Sequence, residues 1–406
     1  MGDRSDLARG MAQMDQQARE QLKLLRRLEK VISETEFSWS LCLVGEDQSR
    51  KLNELAAELQ RPFSATGDEK RIVSGYSYWG IEPAVNWQRA CTDPNYPVMR
   101  DGIETFSRRW RSLHSRHSDR PYHYISLGPG TGEKDAVVLA DLQRANPEMY
   151  YVPVDMSAEM LRLGLRPIKS LPFFRQFRNQ LLPVQLDFSV EENVAELNEL
   201  RGRLIGDEPV LFSLLGNTMA NFDEDVELVE RLSKQLLRPQ DRLLVEVATA
   251  SHLDDRMAQQ AAREYETSWV FREFVISALR QNTDLSVNMN YVRFEGVVEE
   301  GRSLVIKVIY CNQSAEDLKI VLPNRSEVHF PSGDTIRLLI TRKYQLKALA
   351  GALAKAGLFV ESEAFTQFQA YERARRFGMD LMLLSSSEAG NGHDTAARDV
   401  FRRPGT

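Results

Sequence analysis

The chain has 406 residues, 42% of them hydrophobic and 27% charged, and a formal net charge of −6. That length is enough for two domains or one elaborated one, and the balance excludes a disordered chain. No apolar run approaches the length needed to cross a bilayer, so no membrane partner is expected, and the acidic balance speaks against a general nucleic-acid binder.

The N-terminus, MGDRSDLARG, lacks the apolar stretch of a secretory signal, and Asp6 stands where a myristoylation signal has Ser or Thr. Cys42, Cys91 and Cys311 are far apart and odd in number, which suits neither a disulfide framework nor a zinc site. The expectation is a cytoplasmic protein with no metal, its oligomeric state open.

In chain order, Leu22, Leu25, Leu28 and Ile32 recur at helical spacing, as do Leu52, Leu55 and Leu59, so the first sixty residues read as helices. An aromatic cluster follows at Tyr76, Tyr78 and Trp79. The basic run Arg100 to Arg120 reads as a solvated loop, with an anion site as the alternative. From residue 121 short apolar runs alternate with helical segments. The runs are YHYISLG (122–128), MYYVPVD (149–155), LLPVQLD (181–187), VLFSLLG (210–216) and RLLVEVA (242–248). This alternation predicts a parallel sheet with helices on both faces.

A long helix is expected over 253–279. Leu285, Val287, Met289 and Tyr291 alternate, and Glu300-Gly301 marks a hairpin, so 285–340 reads as antiparallel β sequence interrupting the α/β pattern. A helix over 344–355 and strands at 358–365 and 377–385 complete the series. The polar tail from Ser386 reads as disordered.

The strongest local signal is SLGPGTGEKD, residues 126–135, at the end of the first of these strands. Small residues there let the backbone approach a ligand closely, and the following helix presents free N–H groups. Lys134 precedes Asp135, not the Ser or Thr of a Walker loop, and Glu133 stands where a dinucleotide fingerprint has its third glycine. Asp155 ends the second strand, where a carboxylate can accept two ribose hydroxyls. Asp187-Phe188 ends the third, where an acid beside an aromatic can hold and cover an adenine. Loop glycines, then an acid, then an acid with an aromatic is the order of an S-adenosylmethionine (SAM) site. The bland alternative is that these acids only cap helices.

LGPGTGEKD, YVPVDMSAEML and LLGNTMANFDED together resemble the histidine-specific SAM-dependent methyltransferase family, closely over 121–250 and traceably from 70 to 385. Its best-known members trimethylate the α-amine of histidine, and fungal relatives N-methylate a prenylated tryptophan. The resemblance implies a class I SAM-methyltransferase fold, α/β with a Rossmann-like sheet. A second lobe is made of N-terminal helices and an inserted antiparallel β segment. The implied division is residues 1–120 for the helical part of the substrate lobe, 121–250 for the cofactor domain, 251–343 for the insertion, 344–385 for the end of the cofactor domain, and 386–406 for the tail.

Carried over, the cofactor positions are Gly128, Gly130, Lys134, Asp155, Asp187, Phe188 and Gly216. Asn221 and Tyr265 would grip the acceptor's carboxylate, and Tyr78 and Tyr96 would stand at the reacting centre, although YPVMR departs from the family's Tyr-Tyr-Pro-Thr-Arg. Each of these aromatics has an ordinary core role as its alternative.

The departure that matters lies in TIRLLITRKY (335–344). Where the family holds its imidazole with Glu and Ser, this chain has Leu339 and Thr341. Leucine accepts no hydrogen bond, and a buried unpaired polar group costs about 1–3 kcal/mol. The expected activity is therefore SAM-dependent N-methylation of a small amine or amino acid other than histidine, and the nearby Glu327 is the one carboxylate considered as a substitute. Two other readings stay open: the same fold acting on an O, C or peptide acceptor, and a non-catalytic SAM-binding module.

Overall fold

The computed structural model describes residues 43–44, 48–115, 120–299, 301–368 and 377–386. The predicted helical face at Leu22–Ile32 and the tail beyond residue 386 lie outside them. The described elements begin with a short strand, β1 (Leu43–Val44), and three helices: α1 (Gln48–Leu59), α2 (Ile81–Cys91) and α3 (Pro97–His114).

The alternating region follows as β2 (His123–Leu127), α4 (Glu133–Ala145), β3 (Tyr151–Asp155), α5 (Ala158–Lys169), β4 (Val184–Gln185), α6 (Glu191–Leu204), β5 (Val210–Leu214), α7 (Asp225–Leu236) and β6 (Arg242–Ala250). Every residue of β2, β3, β5 and β6 is buried, which is why these strands read as continuous apolar runs. They pair in parallel in the order β4-β3-β2-β5-β6. One face is covered by Phe106, Leu139 and Ile168 from α3, α4 and α5. The other is covered by Val194, Leu232 and Leu353, the last from a later helix, α10 (Leu346–Lys355).

After β6 the chain leaves this sheet through α8 (Asp255–Glu266) and α9 (Trp269–Asn282). It then forms β7 (Val292–Glu299), β8 (Ser303–Cys311), the hairpin β9 (Leu318–Val321) with β10 (Glu327–Phe330), and β11 (Thr335–Tyr344). β7, β8 and β11 are antiparallel, and β11 joins β6 only at Tyr344–Thr249, beyond the point where β5 ends. Asn217 staples this junction. Its Nδ2 donates to the Thr341 hydroxyl and the Arg342 carbonyl, both 3.1 Å away, and its Oδ1 accepts from the Ala248 N–H at 2.8 Å. The left-handed backbone at Asn217 (φ 66°) is one that asparagine tolerates better than most residues.

The chain returns with β12 (Phe359–Gln367) and β13 (Phe377–Ser385), β13 lying antiparallel between β6 and β12. The resulting order, β4-β3-β2-β5-β6-β13-β12, is that of a class I SAM methyltransferase. Its strand order reverses between β2 and β5, and a crevice opens at such a switch point.

Five readings of the sequence are corrected, the first at Leu43–Val44, which lies in the stretch read as helices but pairs in parallel with β4 as a strand. The expected single helix over 253–279 is two, because Ser268 breaks it: its hydroxyl accepts the Phe271 N–H at 2.9 Å and caps α9. The run 181–187 is a strand only at Val184–Gln185. The alternating 285–291 segment is not a strand; it ends in a 3-10 turn at Met289–Tyr291, with strand starting at Val292. The basic run from Arg100 is not a loop but lies on α3 as far as His114, because Phe106, Trp110 and Leu113 share one buried face.

Candidate active site

The switch-point crevice is a partly open cavity walled by the loops that follow the strands. Its floor is the loop from Gly128 to Lys134. Gly128 and Gly132 have φ near +73° and +81°, a region that disfavours side chains. A Cβ on Gly132 would lie 1.9 Å from the Gly164 carbonyl oxygen, so only glycine lets α5 pack this closely behind the loop.

Gly130, Lys134, Asp155, Asp187, Phe188 and Gly216 line the same cavity, so every cofactor position expected from the sequence meets there. Burial pushes the Asp155 carboxyl up to about 7, the Ser157 N–H opposing and Asp187 assisting. That N–H reaches Asp155 Oδ1 at 2.9 Å. Asp187 is fixed through its Oδ1 by the Ser189 N–H at 2.8 Å and hydroxyl at 2.6 Å. A strand-end carboxylate for a diol, a second beside an aromatic ring, and a glycine loop under both suit SAM's adenosine.

Lys134 is more constrained than the sequence suggested. Its ammonium pairs with Glu246 on β6. Glu246 also pairs with Arg109 of α3 and accepts the Gly216 N–H at 2.7 Å. Burial alone would raise the Glu246 pKa, but Lys134 and Arg109 hold it below the ordinary carboxylate value.

A second, smaller cavity shares Tyr78, Trp87, Gly216 and Asn221 with the first, so the two adjoin. Tyr96, Tyr265, Leu339 and Thr341 line it together with Val98, Asn217 and Phe271. The break at Ser268 puts Tyr265 in the last turn of α8 and Phe271 in the first turn of α9, with ring centroids 5.2 Å apart. Tyr96 lies 5.5 Å from Tyr265 and 4.7 Å from Phe271. Asn221 donates to the Tyr78 hydroxyl at 3.2 Å.

The Tyr265 hydroxyl is buried and receives no well-formed hydrogen bond among the described residues. Burial raises its pKa far above the ordinary value, Glu264 adding to this and Thr341 opposing. Burial does the same to Tyr78 and Tyr96, so these phenols stay protonated at neutral pH.

Leu339 and Thr341, two residues apart, present one face of β11 to this cavity. A carboxylate near them would have to come from elsewhere. Glu327 does not supply it, because it is exposed on β10 and paired with Lys319 at 2.9 Å. Glu264 is buried against Lys343 at 2.7 Å.

Trp87, Asn217, Phe271 and Glu246 carry no expectation from the sequence, and Arg109, in the basic run, pairs with a protein carboxylate instead of standing in a solvated loop. For Glu246 a signal existed: a charged residue inside the apolar run RLLVEVA. Trp87 and Phe271 looked like any core aromatic.

Among solved structures, the CcbJ methyltransferase from Streptomyces caelestis is similar over 80% of this chain and 100% of its own, with 14% identity and a TM-score of 0.34. A magnesium protoporphyrin IX methyltransferase from Synechocystis PCC 6803 is similar over 76% and 97%, with 10% identity and a TM-score of 0.38. A search of curated proteins returns no match. The model of one family, the SAM-dependent histidine-specific methyltransferases, matches residues 63–373, well over half of the chain. The chain therefore belongs to the histidine-specific methyltransferase family and is a methyltransferase with SAM as its cofactor.

Proposed function

We propose that the enzyme N-methylates a small amine carrying a carboxylate, an amino acid other than histidine, bound in the smaller cavity. The observation that carries this reading is the buried Tyr265 hydroxyl, without a well-formed partner, in a cavity adjoining the cofactor's. The Thr341 hydroxyl is a poorly placed partner for this buried donor, and a well-aimed acceptor carboxylate would satisfy it better. Asn221 stands in the same wall and would share that carboxylate.

SAM supplies an electrophilic methyl on a cationic sulfur. What this chain contributes is position. Tyr78 and Tyr96, protonated at neutral pH, cannot act as strong bases; their oxygens can accept N–H bonds from the amine and so turn its lone pair. The acceptor must enter as the free amine. A carboxylate beside the amine makes it hold its proton more tightly than the peptide value of about 7.7–8.0, and the cationic sulfur in the adjoining cavity favours the loss of that proton. The aromatic walls tolerate a cationic product.

Histidine is disfavoured because Leu339 accepts no hydrogen bond from an imidazole N–H. The carboxylates considered in its place are either exposed on another element or already paired. A wall of Leu339 and Phe271 suits an apolar or aromatic side chain instead.

The test is methyl transfer from SAM to a panel of amino acids and to the amines made from them by decarboxylation. The reading expects activity with acids and a large loss with the amines. Equal activity on both would remove the carboxylate grip.

A further inference from the structure

Three segments form walls of the cofactor cavity, and one buried carboxylate joins them. Glu246 is fully buried on β6. It accepts the Gly216 N–H of the loop after β5 and the ammonium of Lys134 in the first turn of α4. It also takes the guanidinium of Arg109 on α3. Arg109, fully buried too, donates to the Gly102 carbonyl at 2.8 Å and the Thr105 hydroxyl at 2.7 Å, which fixes the stretch of α3 that carries Met99 and Ile103 into the cavity.

The Lys134 ammonium stands at the cavity wall. A Cβ on Gly216 would lie 3.8 Å from its nitrogen and 3.9 Å from the Met99 methyl. An unneutralised ammonium there would repel any cation in the same cavity, because little water intervenes to screen it.

We propose that Glu246 is a positioning residue that sets the cavity's charge as well as its shape. Its one negative charge, shared by Lys134 and Arg109, lowers the net positive charge of the cluster and so lessens the repulsion of a sulfonium relative to a neutral thioether. Asp380 on β13 is another buried carboxyl near Arg109, but among the described residues it makes no ion pair with Lys134. It therefore does not replace Glu246 at Lys134.

A structural role and a charge role separate when SAM is compared with its demethylated product, S-adenosylhomocysteine. The two share adenosine and the amino-acid end and differ by one charge at sulfur. Calorimetric titration of Glu246→Gln with both is expected to show SAM binding falling roughly tenfold further than product binding. Glu246→Asp keeps the charge and shortens the reach, so both ligands should weaken by the same factor. If Glu246→Gln does not fold, as judged by thermal unfolding, Lys134→Met gives an independent reading. Removing the cation while Glu246 stays should shift preference toward SAM. Both ligands weakening equally in Glu246→Gln, or an unchanged preference in Lys134→Met, would overturn the charge role.

Discussion

The two adjoining cavities are built in opposite ways. The cofactor cavity takes most of its polar wall from strand ends between Gly128 and Gly216, where each loop follows its strand directly. The smaller cavity, the proposed acceptor site, collects side chains from Tyr78 to Thr341, carried by four separate parts of the chain. In the first, backbone loops and short acidic side chains hold the ligand, so their placement follows from the sheet. In the second, aromatic packing and one strand face decide what fits, so a single substitution can change the acceptor and leave the cofactor untouched.

The sharpest way to break that separation is at the cofactor acid. Asp155→Ala removes a carboxylate whose hydrogen bonds to a ribose diol are worth about 1.5–3 kcal/mol each. SAM affinity measured by calorimetry should fall by roughly tenfold or more, with the fold intact by circular dichroism. An unchanged affinity would place the cofactor elsewhere.

A second effect concerns pH. Asp155 is pushed up to about 7 in the free protein, and only its ionised form accepts both hydroxyls. Below that pH, binding must release a proton, so SAM affinity should weaken as pH falls from 8 to 6, by up to about tenfold per pH unit. Asp155→Asn should flatten the profile. A flat profile in the unaltered enzyme would contradict the assignment.

Tyr265→Phe addresses the other cavity. It deletes one hydroxyl and should raise KM for the acceptor by roughly three- to tenfold, leaving SAM affinity alone. A matching loss of SAM affinity would mean the cavities are not separable. The smallest effect is expected at the helix break: Ser268→Ala removes the α9 cap and should lower stability to denaturant by about 1 kcal/mol.

The same contrast explains what could be read from the sequence. GPGTG, Asp155 and Asp187-Phe188 sit at strand ends, and the apolar runs that mark those strands also mark the site. The pairing of Tyr265 with Phe271 depends on a two-residue interruption, Thr267-Ser268, inside sequence that otherwise reads as one amphipathic helix. The Ser268 hydroxyl's capture of the Phe271 N–H, together with its bond to Asp93, holds that interruption as a corner. Asn217 was likewise invisible as a staple, because its partners lie on β6 and β11, the latter more than a hundred residues away. Arg109 looked like one more surface arginine. Its buried partner Glu246 is one that no local pattern connects to it.

The central claim is that the acceptor wall has lost its grip on imidazole while the cofactor side is intact. Steady-state assays with histidine, tryptophan, tyrosine and leucine at equal concentration test it most directly. Histidine is expected to have the lowest kcat/KM of the four. Efficient trimethylation of histidine would contradict it.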